Sequence, residues 1–264
     1  MNVLSLSYGK DSLACFGACE QLGIKIDRVV HAEVWATDTI LADLPPMVEF
    51  KKKADKIIKE RWGIEVEHYR ADKSYESQFY KIRKSKIING FQIYGFPIVK
   101  GAWCNSKLKM EAIRVINKQI TQPSFQILGI AADEPERIKR HAVPGKILPL
   151  VDIGWDEAYC RKWCEENDLL SPIYTTSARG GCWFCHNQGV DQLRLLRNNY
   201  PELWQLLLKW DKDSPTTFKS DGHTVHDYER RFQAEDAGII KAGDKKFRWK
   251  QIIQPEENLE DEKK

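Results

Sequence analysis

The sequence predicts an α/β fold, a parallel sheet with helices on both faces, followed by a small helical C-terminal region. Three observations carry this expectation. Strand-like runs at 3–7, 28–35, 65–69, 124–130 and 147–151 alternate with helix-like runs at 12–22, 46–62, 74–88 and 106–120. The first apolar run ends in a polar, glycine-containing turn that leads straight into a helix-like segment. After Pro149 the strand pattern stops, and helix-like segments follow at 155–167, 190–199 and 201–212. The expected organisation is an α/β domain over 1–152, a mainly helical region over 153–254, and a polar tail over 255–264 with too little apolar content to order itself.

The first strand, Asn2-Val3-Leu4-Ser5-Leu6-Ser7, breaks at Tyr8-Gly9-Lys10-Asp11-Ser12. Strand, tight turn and helix N-terminus together favour an anion, because the turn and first helical N–H groups point at it and the helix dipole attracts it. Gly9 lets the backbone come close to a ligand. Lys10 adds a positive charge, and Ser5, Ser7 and Ser12 offer hydroxyl donors. Neither G-x-x-x-x-G-K-[ST] nor G-x-G-x-x-G occurs here, so this is not a Walker loop or a dinucleotide fingerprint. In open parallel sheets a ligand lies beyond the carboxyl ends of the strands, which directs attention to the loops after Leu6, Trp35, Tyr69 and Gly129.

The pattern Ser-x-Ser-x-Gly-Lys-Asp-Ser after a strand resembles the PP-loop of the adenine nucleotide alpha-hydrolase-like superfamily, which includes ATP pyrophosphatases and phosphoadenosine phosphosulfate (PAPS) reductases. The resemblance implies a Rossmann-like sheet. It also implies that Ser5, Ser7, Tyr8, Gly9, Lys10, Asp11 and Ser12 hold the phosphates of ATP or PAPS, with Mg²⁺ bridging them and Asp11 near the ion. Asp38-Thr39, followed by Pro46-x-x-Glu49-Phe50, resembles the Asp-Thr-Gly loop that helps hold the adenosine in PAPS reductase-like proteins, with Ile40 in place of the usual glycine. Gly129-Ile130-Ala131-Ala132-Asp133-Glu134 resembles the family's Gly-x-Arg-x-x-Glu element. Ala131 stands where that arginine belongs, and Arg137 or Arg140 is then the candidate source of its charge.

Seven cysteines in a chain without a visible signal peptide point to reduced thiols and to metal or redox chemistry. Cys182-Trp183-Phe184-Cys185, led by Gly180-Gly181, is a C-x-x-C turn able to grip one metal or cluster. Cys104, in Trp103-Cys104-Asn105-Ser106-Lys107-Leu108-Lys109, is separated from Cys182 by 77 residues. That piece resembles the Cys-x-x-x-Leu-Lys element of the family. In assimilatory adenosine phosphosulfate reductases a Cys-Cys pair at this place joins a later C-x-x-C around a 4Fe–4S cluster; here Trp103 replaces the first of the pair. Cys160 or Cys164 is the candidate fourth ligand. An iron left open by three cysteines, as in some tRNA-thiolating PP-loop enzymes, is the other completion. Zn²⁺ on Cys160, Cys164, Cys182 and Cys185 competes with both. Cys15 and Cys19 are one helical turn apart and read as core packing.

The family's reductases use a nucleophilic cysteine near the C-terminus in a Glu-Cys-Gly-x-His setting to displace the nucleotide from sulfur. No Cys follows Cys185 here. The leading expectation is therefore an ATP-binding enzyme of the PAPS reductase-like branch, which includes the DNA-phosphorothioation ATP pyrophosphatase and many proteins of phages and mobile elements. It would adenylate an acceptor, with Lys10, Asp11 and Arg137 at the reaction, and pass sulfur on. Two alternatives stay open. One is a phosphosulfate reductase using Cys182 or Cys185 with a thioredoxin-like partner. The other is a nucleotide sensor or nucleic-acid-binding module without turnover.

The formal net charge of +3 hides an asymmetry. From 51 to 118 there are 17 Lys and Arg against 7 Asp and Glu, a local +10 that fits a nucleic acid or another phosphate-rich partner as well as a solvated helix surface. A sulfur-carrier protein is a further candidate partner, and an oligomer is compatible with the sequence. No apolar run approaches the roughly 20 residues of a membrane span. A cytoplasmic protein is expected.

Overall fold

The computed structural model describes residues 1–83, 93–97, 102–120, 123–175, 181–244 and 246–252. The chain divides into two compact units, Met1–Tyr80 with Lys100–Cys185, and Lys81–Val99 with His186–Lys264.

The first unit is built on the strands β1 (Asn2–Ser5), β2 (Arg28–Glu33), β3 (Val66–Arg70), β4 (Phe125–Ile127) and β5 (Lys146–Ile147). They form a sheet in the order β3-β2-β1-β4-β5, and every neighbouring pair is parallel. The chain winds outward from β1 to β3, then crosses back to lay β4 on the free side of β1. The order reverses between β1 and β4, and this is where parallel sheets open a crevice.

Around the sheet stand α1 (Lys10–Leu22), α2 (Pro45–Trp62), α3 (Tyr75–Phe79), α4 (Met110–Gln119, entered through a π-helical turn, Asn105–Lys109), α5 (Pro135–His141), α6 (Pro149–Asp152) and α7 (Glu157–Glu166). Side chains alternate across a strand, so adjacent residues serve different cores. Leu4, Val29 and Ile127 enter a large cluster with Leu13 and Phe16 of α1, Ala54 and Ile58 of α2, and Trp163 of α7. Val3 and Val30 pack with Ile116 of α4 in a second cluster. Helices thus cover both faces, as the alternation in the sequence predicts. Each fully buried Leu, Ile or Phe contributes roughly 1.5–3 kcal/mol. No helix among the described residues is long and apolar enough to cross a membrane.

Three expectations need correction. The fifth strand was expected over 147–151, but only Lys146–Ile147 pair with β4, and Pro149 opens α6. Proline lacks an N–H and has its φ fixed, which suits the first helical position better than a strand. The helix expected over 74–88 ends at Phe79, where Ser74 caps its start and Tyr80 its end. Ile82 instead makes an antiparallel bridge to Ile93, and 84–88 lie outside the described residues. The boundary expected at 152 also falls elsewhere. Helix α7 and the C-x-x-C turn belong to the sheet unit, because α7 lies against α1 and the Trp183 N–H donates to the Ala42 carbonyl at 2.9 Å. A Cβ on Gly17 would stand 2.4 Å from the Trp163 ring, so only glycine permits this approach of α1 to α7.

The second unit contains α8 (Val190–Asn199), α9 (Pro201–Asp213), α10 (Val225–Asp236) and a 3-10 turn, Trp249–Gln251. Leu193, Leu196, Trp204, Leu207, Trp210 and Phe232 are buried in it. Helix α10 begins at a capping box in which Thr224 and Asp227 satisfy each other's backbone N–H groups. Glu235, nearly buried, accepts from both Arg194 (2.6 Å) and Arg231 (3.1 Å), and Glu229 from Arg197 (3.0 Å).

Candidate functional site

Beyond β1 the chain turns at Tyr8, whose φ of 57° lies in the left-handed region. That conformation costs an aromatic residue about 1–3 kcal/mol and persists only where surroundings hold it. The surroundings are explicit. The Tyr8 side chain is turned inward and buried, and its hydroxyl donates to Asp55 of α2. His68 of β3 stands 3.1 Å from the same hydroxyl and pairs with Asp55 at 3.0 Å and with Glu33 of β2 at 3.5 Å. Hydrogen bonds to Asp55 and Glu33 push His68 up to about 9, and the bond from His68 pulls Glu33 down to about 2. Beside them His31 donates to the Leu6 carbonyl at 2.8 Å and accepts from Lys51 at 2.9 Å, while Lys51 also pairs with Asp43 at 2.6 Å. Burial, then the Lys51 charge, press His31 down to about 3, so it stays neutral. The sequence expectation assigned Tyr8 to the nucleotide; its side chain instead anchors the loop from below.

The loop is closed by its serines. Ser12, buried, donates to the Gly9 carbonyl (3.0 Å), accepts from the Ser7 N–H (3.1 Å) and lies 3.0 Å from the Ser7 hydroxyl. Ser5 accepts from Gln126 of β4 at 2.9 Å. Gly9 caps α1 without any side-chain cap. The Lys10 N–H donates to the Tyr174 hydroxyl at 3.1 Å, while the Asp11 and Ser12 N–H groups make no hydrogen bond among the described residues. Two donors at a helix N-terminus therefore remain for a ligand, where the dipole favours negative charge. Lys10 stands 2.9 Å from both Asp11 and Glu157. Burial opposes its charge, but the two carboxylates outweigh that and raise its pKa. Burial likewise raises Asp11, against the pull of Lys10.

Gly129 closes the other side of this crevice. A Cβ there would stand 2.6 Å from backbone atoms of Asp11 and Ser12, so the chain after β4 passes against the start of α1 as only glycine allows. Glu134 accepts from the Ala131 N–H at 3.2 Å and holds Arg137 through contacts of 2.6 and 2.7 Å. The Arg137 charge is thus taken up by Glu134. Asp38 and Thr39 occupy the exposed tip of a hairpin in which the Ile40 carbonyl accepts from Ala36 (2.7 Å) and Thr37 (3.2 Å), and no hydrogen bond joins them to the loop after β1 among the described residues. Ile40 is tolerated because this tip turns through Thr37, whose hydroxyl accepts from the Ile40 N–H at 3.0 Å.

The cysteines separate into two groups. Cys15, Cys160 and Cys164 are buried where α1 meets α7, and the Cys164 thiol donates to the Lys10 carbonyl at 3.2 Å. Burial pushes Cys160 up to about 12 and Cys164 higher still. Cys160 and Cys164, candidate ligands in the sequence, lie buried on α7 beside Cys15 of α1. Cys104, Cys182 and Cys185 instead share the electrostatic surroundings of Tyr75, and burial pushes Cys182 up to about 12. Among the described residues no three His, Cys, Asp or Glu side chains are gathered as a metal would need.

Tyr174, Glu157 and the group Glu33–Asp55–His68 escape sequence reasoning. Each meets the loop across a long stretch of chain, and only the Asp156 cap of α7 marks where Glu157 would fall.

Fold and site together define a Rossmann-like α/β protein with unpaired helix N–H groups at its switch point. A search against protein-family models gives no match, and a search of curated proteins by sequence gives none either.

Proposed function

We propose that this chain is an adenine nucleotide alpha-hydrolase-like enzyme of the PAPS reductase-like kind. It binds ATP at the loop after β1 and adenylates an acceptor, with release of pyrophosphate, as part of sulfur transfer. One observation carries the reading. The unpaired N–H groups of Asp11 and Ser12, with Lys10 beside them, lie at the sheet's switch point against Gly129.

In this reaction an acceptor oxygen attacks the alpha-phosphorus and pyrophosphate leaves. The work is positioning and offsetting negative charge. Lys10 would exchange Asp11 and Glu157 for phosphate oxygens, and the Tyr174 hydroxyl would yield the Lys10 N–H or donate to the nucleotide. Mg²⁺ would enter with ATP, next to Asp11. Asp38 and Thr39 are proposed to meet the adenosine, and Arg137 to reach the phosphates only on leaving Glu134. A nucleic acid or a sulfur-carrier protein is the proposed partner. A 4Fe–4S cluster or Zn²⁺ on Cys104, Cys182 and Cys185 is a separate part of the proposal, and no step is derived through it.

The test is product analysis with Mg²⁺ and ATP labelled at the alpha-phosphate, with PAPS in parallel. AMP and pyrophosphate are expected. ADP with phosphate would contradict the reading, sulfite from PAPS would favour the reductase, and binding without turnover would favour a sensor.

A further inference from the structure

A short segment of the second unit alternates in a way the nucleotide site does not use. Lys246-Phe247-Arg248-Trp249-Lys250 has its three basic residues exposed and its two aromatic residues half-buried. Arg248 is extended (φ −131°, ψ 134°) and leads into the 3-10 turn Trp249–Gln251. The inward rings are fixed on and before α10. Trp249 stacks on His223 at 4.1 Å and meets Tyr228 edge-on at 5.2 Å, while the Arg231 guanidinium lies 4.1 Å from Phe247. Lys246 and Lys250 are exposed, and the Arg248 guanidinium donates to the Phe247 carbonyl at 3.0 Å and the Lys246 carbonyl at 3.4 Å.

Among the described residues, the neighbouring carboxylates are engaged elsewhere. Glu235 is shared by Arg194 and Arg231, Asp236 pairs with Arg197, Asp227 with Arg230, and Asp221 with His223. Asp244 accepts from the Lys246 backbone N–H at 2.7 Å. Lys241, Lys246, Arg248 and Lys250 make no ion pair among the described residues. From 237 to 252 the sequence carries five Lys and Arg against one Asp.

We infer that this segment is a binding surface for single-stranded nucleic acid. Exposed cations in a row can follow a phosphate chain, and the exposed part of the half-buried rings between them is available to unpaired bases. A duplex would satisfy the cations but not the rings. The segment belongs to the second unit and the proposed nucleotide site to the first, so its test needs no ATP.

The probe is a fluorescein-labelled oligothymidine, titrated by anisotropy over a range of salt concentrations. The wild-type chain should bind it, and a Lys241→Ala/Lys246→Ala/Lys250→Ala variant should bind more weakly. The slope of log affinity against log salt should shrink by about two, since each contact to a single strand contributes about 0.7. The same three positions changed to Arg should retain binding, and Lys10→Ala/Asp11→Ala should bind as the wild type does. Absence of binding by the wild type, an unchanged slope in the alanine variant, or equal competition by duplex DNA, polyglutamate or anionic lipid vesicles would overturn the inference.

Discussion

At Tyr8 a single residue joins the loop to the core. Its left-handed backbone turns the chain into Gly9, and its hydroxyl reaches Asp55 and His68. The stability supplied by protonated His68 should be fully present below its unfolded value of 6.5 and be lost as pH rises through about 9. Urea midpoints at about pH 6 and about pH 9.5 should therefore fall in the wild type and stay nearly level in His68→Gln. Equal pH dependence in both would contradict this pairing. His31 works in the opposite direction. It is neutral when folded and protonates more readily when unfolded, so stability should drop as pH falls from 6.5 toward 3. None of this is legible in the sequence, where Glu33, Asp55 and His68 lie on three separate elements. The loop itself is legible, because strand, turn and helix start are contiguous.

At the scale of elements, two glycines set how closely helices and loops approach. Gly129→Ala would press a methyl group into the Asp11–Ser12 backbone. It should cost about 1–3 kcal/mol and weaken nucleotide binding beyond what stability alone explains, as thermal melting with and without ATP would reveal. Gly17→Ala should destabilise by a similar amount through Trp163, and Trp163→Leu should recover part of the loss. Unchanged melting in either glycine variant would contradict the packing described. The element order was readable from alternating periodicity, and the short ends were not. Pro149 converts the end of an apolar run into α6, and Ile82 leaves a helical pattern for a bridge to Ile93. Helix α10 announced itself only through Thr224-x-x-Asp227, a capping box that periodicity does not detect.

Across the whole chain, spacing alone does not say which charges are paired or which thiols are buried. Of the basic middle, Lys51, Lys53, Lys56, Lys59, Arg61 and Lys73 are ion-paired within the first unit, whereas Lys52, Lys107, Lys109, Arg114 and Lys118 are exposed and make no ion pair among the described residues. The cysteines divide by burial rather than by C-x-x-C spacing. If a metal is held, Cys104→Ser, Cys182→Ser and Cys185→Ser should each lower iron or zinc content after anaerobic purification, while Cys160→Ser and Cys164→Ser should leave it intact. Metal loss in the second pair alone would contradict the division.

The central claim is that the switch-point loop is an adenine-nucleotide site, and calorimetric titration of Mg²⁺-ATP into the wild type and Lys10→Ala/Asp11→Ala tests it most directly. Both substituted side chains are partly exposed, so the variant should keep its circular dichroism spectrum. One ATP per chain in the wild type and none in the variant is the expected result. Unchanged affinity in the folded variant, or no binding by the wild type, would contradict the assignment.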